Sequence, residues 1–522
     1  MNGPADTARG HRDTVTLVVD GVPVAAVRGQ SVAAALLSRG GAEAWHVRTS
    51  VTGTPRGPLC GMGVCFECRA TVDGRELVRT CQETVRDGMR VDTAAPAAAP
   101  RACPAIPAAP RHGVCDVLVV GAGPAGIAAA SAAATAGADV IVIDDNPAPG
   151  GQIWRGGAAR PEGGARFFPG TAVVTVTPSG AIQLQDAVGT RQVVARRIVL
   201  ATGARERFVP FPGWTLPGVV GAGGLQALVK QGLDVAGRRV VVAGSGPLLL
   251  AVADVAARSG ARLVAIAEQA DRVRLAGFAA RLVADPAKLV QAVGLARTTA
   301  AVYRPATFPV AVRAAADGLV VTLRSGRPGR ERDRDVACDI LACGFGLVPN
   351  TDVARALGCA IGADGVVVDE WQRTTRPDVL AAGECTGIGG VDKSLVEGRV
   401  AGLVAVGAGA AAAPLLAEVR RARQFAARLL DTFALDPRLC ALASADTVVC
   451  RCEDVVAERL RGFTAWREAK LLSRVGMGPC QGRVCGTATA VTCGFAPDDV
   501  RPPLVPVPTG ALVDVVNVRG AG

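Results

Sequence analysis

Tyrosine occurs once in 522 residues, as Tyr303, and aromatic residues make up 3% of the chain. That scarcity argues against a nucleic-acid partner read by base stacking. Histidine is nearly as rare, and His11, His46 and His112 are all expected to lie outside the main body. A Ser–His triad or histidine-ligated zinc chemistry is thereby excluded there. No run of about 18 apolar residues free of charges and turn signals occurs, so no transmembrane segment is expected. The first twenty residues lack an apolar h-region, so no secretory signal is expected and the chain is placed in the cytoplasm. The formal charge of +11 is scattered, without a block of five or six like charges. It reads as a solvated surface, with attraction to an acidic partner or peripheral membrane contact left open.

Apolar residues, by contrast, make up half the chain, and there are 16 cysteines. The length suits about three or four domains. In a reduced compartment so many thiols point to ligands or apolar fillers rather than disulfides.

Residues 14–27 read as two strands around Asp20-Gly21, and a short helix follows with Ser31 as N-cap, closing at Gly40. A second strand–turn–strand surrounds Asp73-Gly74. Between them stands "CGMGVCFEC". Cys60, Cys65, Cys68 and Cys81 give the C-x4-C-x2-C…C spacing of plant-type [2Fe–2S] ligation. Gly61 and Gly63 let the loop turn tightly enough for its N–H groups to face the sulfurs. Zinc is the alternative, but it favours paired C-x2-C knuckles. Residues 1–93 are thus one unit, followed by an Ala/Pro linker at 94–113. Its prolines favour an extended strut that holds the first unit near the main body without packing into it.

From Val114 a continuous apolar strand, a glycine turn, an alanine-rich helix and a second apolar strand form a βαβ unit. The turn is Gly121-x-Gly123-Pro124-Ala125-Gly126, and Asp144 follows 23 residues after Gly121, where a carboxylate takes ribose hydroxyls. The texture returns at 237–268 with Gly244, Gly246 and Glu268, but Leu249 replaces the third glycine. That second turn either binds NAD(H) or survives as scaffold.

Near the C-terminus, Cys450-Arg-Cys452 and Cys480…Cys485 form C-x-C…C-x4-C. This resembles the small [2Fe–2S] domain of bacterioferritin-associated ferredoxins, with zinc as the alternative. Cysteines 103, 115, 338, 343, 359, 385, 440 and 493 read as apolar fillers or linker thiols. No acid or base is evident for substrate proton transfer, so the catalytic residues stay unassigned.

The stretches "IVLATGARE" and "DVLAAGECTG" resemble motifs of the two-dinucleotide-binding, glutathione-reductase-like flavoproteins. The resemblance implies FAD held by the first glycine turn with Ala201, Thr202 and Gly203, and by Gly383 and Glu384, whose carboxylate would bind the ribityl chain. "GGQIW" resembles the loop beside the isoalloxazine, which adds Gly151 and Gln152. The implied fold is α/β: a two-dinucleotide-binding flavoprotein with an N-terminal β-grasp [2Fe–2S] domain and a small C-terminal helical [2Fe–2S] domain. The expected divisions are 114–222 and 339–414 for the FAD-binding domain, 223–338 for the NAD(P)-binding-like insert and 415–522 for the last unit. "LACGFGLVPN" would carry the insert back to the FAD fold.

The whole order, with "PGWTLPGVVGAGGLQ", resembles the large subunit of heteromeric amino-acid and imino-acid dehydrogenases: opine oxidases, D-hydroxyproline dehydrogenase, hydrogen cyanide synthase and, more distantly, sarcosine oxidase alpha. That resemblance implies an electron-transfer subunit carrying FAD and two [2Fe–2S] clusters. A smaller FAD-dependent partner would oxidise a C–N bond of an amino acid, imino acid or opine, and the electron acceptor stays unidentified. The other reading is a self-contained NADH-dependent reductase that serves a protein acceptor.

Overall fold

The computed structural model describes residues 13–39, 45–93, 111–157, 159–177, 180–283, 285–497, 500–509 and 512. His11, Gly40, Cys103 and the linker up to residue 110 lie outside the described residues.

The first unit is a five-stranded sheet in the order Val22–Val27, Thr14–Val19, Arg90–Asp92, Arg69–Val72, Arg75–Arg79. The hairpin turns at Asp20 and Gly21, both with positive φ, as a tight turn between twisted strands requires. The helix Val32–Leu37 starts where expected: the Ser31 Oγ accepts the Ala34 N–H at 3.1 Å. All six of its residues are buried.

The second body is a seven-stranded sheet whose centre pairs Arg111–Val120 in parallel with Val140–Ile143 and Thr190–Leu200. Val379–Ala381 joins its far side. Uniformly apolar strands such as "VIVI" are what a sheet covered on both faces needs. The helix Pro124–Thr135 packs tightly on the helix Gly390–Ala405. A Cβ at Gly398 or Gly402 would lie 2.2 Å from the carbonyl oxygen of Ala125 or Ala129. Contrary to expectation, the first strand begins at Arg111, and His112, pairing with Gln192, is an exposed member of this sheet rather than outside the body. The ladder to Thr190–Leu200 continues past the apolar residues that alone marked the strand.

A further five-stranded parallel sheet runs Val219–Gly221, Ile340–Gly344, Arg239–Gly244, Arg262–Glu268, Tyr303–Pro305. Ile340–Gly344 is bonded on both sides inside the second lobe, so the expected boundary at 339 falls too early, although the same stretch then carries the chain back. The return comes at Leu347–Pro349, which pairs with Ala204–Glu206. The lobe is also wider than 223–338, because Val219–Gly221 belongs to it.

After these lobes, the helix Leu416–Thr432 docks on Gly390–Ala405 through an Arg423–Glu397 ion pair at 3.0 Å. The last unit then wraps back, and the Leu504 N–H donates to Val174 O in the seven-stranded sheet at 2.9 Å. Among the described residues no helix is long and apolar enough to cross a membrane.

The expectation of a detached first unit fails. Leu59, Cys60, Met62, Cys65 and Phe66 share one core with Phe208, Phe211 and Trp214 and with Cys450, Cys452, Cys480 and Cys485. Small residues make the contact. The Gly221 N–H donates to Leu59 O at 2.7 Å, and a Cβ on Gly224 would lie 2.4 Å from the same oxygen. Gly224→Ala is therefore expected to cost about 1–3 kcal/mol. Gly223→Ala, whose Cβ would meet nothing closer than the Glu206 carboxylate at 3.4 Å, should cost less. Thermal unfolding of the two variants compares them, and an equal loss would contradict the packing.

Candidate functional site

The first glycine turn and its surroundings enclose a cleft of about 340 Å³. Gly121, Gly123, Pro124, Ala125, Asp144, Gly151, Gln152, Ala201, Thr202, Gly203 and Glu384 line it. Gly126 stands behind that lining. Its Cβ would fall 1.7 Å from Gly121 O, so helix and strand approach only because it is glycine. The helix above starts at Pro124, capped by Gly123 without a side-chain bond. An N-terminus of this kind points N–H groups and a positive dipole end at an anion. Asp144 accepts the Ala122 N–H at 2.6 Å and the Asn146 N–H at 2.8 Å. Burial, then the neighbouring Asp145, hold its carboxyl above the ordinary range.

Gly383, also behind the lining, opens the turn Gly383–Thr386, and buried charges pin that turn. The Lys393 Nζ donates to Gly383 O at 2.9 Å and to Glu397 Oε2 at 2.7 Å, while the same carboxylate oxygen accepts the Gly383 N–H at 3.0 Å. Glu384 is thereby held against the cleft; burial raises its pKa, opposed by the Gly390 N–H at 3.3 Å. Sequence reasoning passed over Lys393 and Glu397. Their spacing of four on one helix was the available signal. It also passed over Arg79, whose Nη1 donates to Gly63 O and to Asp145 Oδ2, both at 3.0 Å. Arg155, donating to Gln152 and Asn146, was missed as well.

Both cysteine loops reach this cleft. Met62, Gly63, Val64 and Phe66 line it from the first, and Arg483, between Cys480 and Cys485, lines it from the second. Arg483 is paired with Asp352 at 2.9 Å.

All eight candidate ligand thiols are buried, none more than 3% exposed. They meet in twos. Cys60 hydrogen-bonds Cys65, Cys68 bonds Cys81, and Cys450 bonds Cys485. Cys452 and Cys480 lie 3.5 Å apart, and Cys480 also touches Cys485. Contact between Cys68 and Cys81 pushes the first down and the second up, while Cys452 pushes Cys480 down and Cys450 pushes Cys485 up. Among the described residues no three His, Cys, Asp or Glu side chains converge as a single-ion site would need. In the first set, two thiols to each of two irons is the arrangement a [2Fe–2S] core asks for; in the second, the four thiols stand in one continuous row. The N–H groups of Met62 and Cys65 face the Cys60 sulfur, and that of Glu67 faces Cys65, each at 3.4 Å. His46 is exposed and pairs with Thr49. Of the thiols read as fillers, Cys115, Cys338, Cys343, Cys359 and Cys385 are buried, but Cys440 is exposed and Cys493 half-buried. A 3-10 turn at Pro437–Ala441 buries Leu439 and turns Cys440 outward.

At the second glycine turn Gly244 and Gly246 stand beside Glu268, which is 1% exposed. Its Oε2 accepts the Gly246 N–H at 2.8 Å and its Oε1 the Ala270 N–H at 2.9 Å. Residues 433–436 lie over the turn: Ser245 Oγ donates to Phe433 O at 3.0 Å, and Gln269 Nε2 to Ala434 O at 3.0 Å. Leu249 fills the core beneath.

Residues 115–399 match the family described as pyridine nucleotide-disulphide oxidoreductase, and residues 12–96 match a 2Fe-2S iron-sulfur cluster binding domain. An opine oxidase subunit of Rhizobium meliloti (strain 1021) is 34% identical over 458 residues, covering 77% of this chain and 99% of that protein. Hydrogen cyanide synthase subunit HcnB of Pseudomonas aeruginosa is 32% identical over 418 residues, covering 70% and 90%. The crystal structure of L-proline dehydrogenase from P. horikoshii superposes with a TM-score of 0.69 at 20% identity, covering 98% of this chain and 99% of that one. That likeness concerns the fold.

Two buried carboxyls give the protein a pH signature. Glu206, which accepts the Gly223 N–H at 2.7 Å, and Glu268 are each pushed by burial from 4.5 to about 7. Both folded pKa values exceed the unfolded ones, so the native state binds more protons between pH 4.5 and 7. Stability is fullest below that window and falls as pH rises through it, on the order of 3 kcal/mol per group. Urea unfolding at pH 5 and pH 8 should show a smaller difference for Glu206→Gln than for the unaltered protein. An unchanged difference would refute the assignment.

Proposed function

The chain belongs to the pyridine nucleotide-disulphide oxidoreductase family and carries a 2Fe-2S domain, and from that premise we propose that it is the electron-transfer subunit of a heteromeric dehydrogenase or oxidase. The reaction served is oxidation of a C–N bond in an amino acid, imino acid or opine. The observation that carries this reading is the meeting of two cysteine loops at one dinucleotide cleft.

FAD, when bound, would take electrons in a pair and release them singly to iron–sulfur centres. The turn Gly121–Gly126 and the start of the helix Pro124–Thr135 would hold its pyrophosphate. Asp144 would hold the ribose and Glu384 the ribityl chain, with Gly151, Gln152 and Ala201–Gly203 beside them. Cys60, Cys65, Cys68 and Cys81 would hold one [2Fe–2S] cluster, and Cys450, Cys452, Cys480 and Cys485 a second. Arg79 and Arg155 place positive charge between the cleft and the first cysteine loop. Among the described residues, every carboxylate lining the cleft is already engaged: Asp144 and Glu384 by backbone N–H groups, Asp145 by Arg79, Asp352 by Arg483. None is left as a base for substrate.

Substrate oxidation therefore falls to a partner, which we take to be a smaller FAD-dependent subunit. Relatives that are themselves named as subunits support that reading. The acceptor is not specified by any residue described. The NADH-dependent alternative is less favoured, because residues 433–436 lie over the turn, with Ser245 and Gln269 bonded to the carbonyls of Phe433 and Ala434. Reduced thiols suit a cytoplasmic setting.

Anaerobically purified protein should contain about four iron and no stoichiometric zinc per chain. Cys60→Ser and Cys480→Ser should each lose about half of that iron. NADH should leave the flavin yellow in the isolated chain, and co-purification from the host should bring down the partner. Oxidation of amino acids at full rate by this chain alone would refute the proposal.

A further inference from the structure

Glu67 lies between Cys65 and Cys68, and Arg451 lies between Cys450 and Cys452. They are 384 residues apart in sequence, yet their side chains meet. Arg451 Nη2 stands 3.5 Å from Glu67 Oε2. Arg48 Nη2 completes the group, donating to Glu67 Oε1 at 2.9 Å and to the Arg451 carbonyl at 3.1 Å. Arg48 is 4% exposed, Glu67 1% and Arg451 2%. Arg451 Nη1 also donates to Trp214 O at 3.1 Å, tying the bridge to the second lobe. Beside it, Arg56 Nη2 pairs with Asp454 Oδ1 at 2.6 Å, and Thr52 Oγ1 donates to Asp454 Oδ2 at 2.7 Å.

The charge in this junction does not balance. Three buried guanidiniums, of Arg48, Arg56 and Arg451, face the two carboxylates of Glu67 and Asp454. The Nε of each of the three arginines is buried without a hydrogen-bond partner. Uncompensated buried charge and unmatched donors are costly, and nearby anions offset them. A [2Fe–2S] core held by four thiolates is such an anion, and the junction has one set of thiols on each side.

We propose that Arg48–Glu67–Arg451 is an ionic bridge that fixes the spacing of the two cluster sites and couples their reduction potentials. This rests on the reading that both cysteine sets hold clusters. Its members are positioning residues, acting through the two loops. Reduction adds one negative charge to a site. In a medium this dry, a charge on the bridge is felt on both sides. Electron exchange across the junction moves one electron from one site to the other, with no bond made or broken and no proton moved.

The test uses the full chain with iron and flavin in place, titrated potentiometrically and followed by electron paramagnetic resonance. Iron content comes first. About four iron per chain keeps the premise, and about two would remove it, separately from the bridge. In the fully reduced unaltered protein the two signals should show mutual magnetic broadening; its absence would overturn the proposal without any variant. Glu67→Gln removes the anion, so both signals should move to more positive potential. Arg451→Gln removes a cation, so both should move negative. Arg451→Lys keeps the charge and should return both close to the starting values. A shift confined to the adjoining site, or shifts of one sign in all variants, would reduce the bridge to local packing and overturn the coupling.

Discussion

Where Leu59–Cys60 meets Gly221 and Gly224, a Cβ on either glycine would press on Leu59 O, at 3.0 Å and 2.4 Å. Backbone meets backbone there, and the Gly221 N–H seals it with a bond to Leu59 O. The rest of the arrangement depends on that closeness. It drives the first cysteine loop between the two lobes, so that Met62 to Phe66 reach the flavin cleft on one side. On the other side Glu67 arrives against Arg451. Glu206 lies under the same glycines and takes the N–H groups of Gly223 and Gly224, so the helix start has a partner without a bulky cap.

Two buried ionic groups stand at opposite ends of this wedge. Lys393–Glu397 holds the turn that carries Glu384, and Arg48–Glu67–Arg451 holds the cysteine loops together. Buried ion pairs contribute little net stability, because desolvation consumes most of the Coulomb gain. Their effect is directional: a charge that must be matched tolerates few alternative geometries. Apolar packing alone would let either turn slide by an ångström, a displacement that matters where cofactors must be held at fixed separation.

What the sequence disclosed was local. The hairpin at 14–27, the Ser31 cap, the first glycine turn and the C-x4-C-x2-C spacing are all patterns within about thirty residues, and the structure forms the hairpin, the cap and the turn as read. What it withheld was contact between distant stretches. Nothing near "CFEC" announces Arg451, and nothing near "PGVVGAGGLQ" announces Leu59. Ile340–Gly344 was misplaced because an apolar strand does not say which sheet receives it. His112 was excluded from the body because pairing with a neighbouring strand, not apolar character, starts that strand. The proline-rich linker suggested distance, whereas the small residues of the receiving face decided contact.

The second lobe follows the same logic with its own parts. A glycine turn at a strand end presents free N–H groups, and these will bind an anion wherever one is supplied. Here Glu268, from the next strand of the same sheet, takes the Gly246 N–H, and the neighbouring polar side chains Ser245 and Gln269 bind the carbonyls of Phe433 and Ala434. Those residues begin the segment that leads to Cys450. The turn thus clamps the chain just ahead of the second cysteine loop, which Trp214 also braces through its Nε1–H bond to Val448 O at 2.6 Å, while the strand end at Gly221 braces the first. A dinucleotide-binding architecture so arranged acts as a frame. Its sheet and turn hold both cysteine loops against the cleft at the first glycine turn.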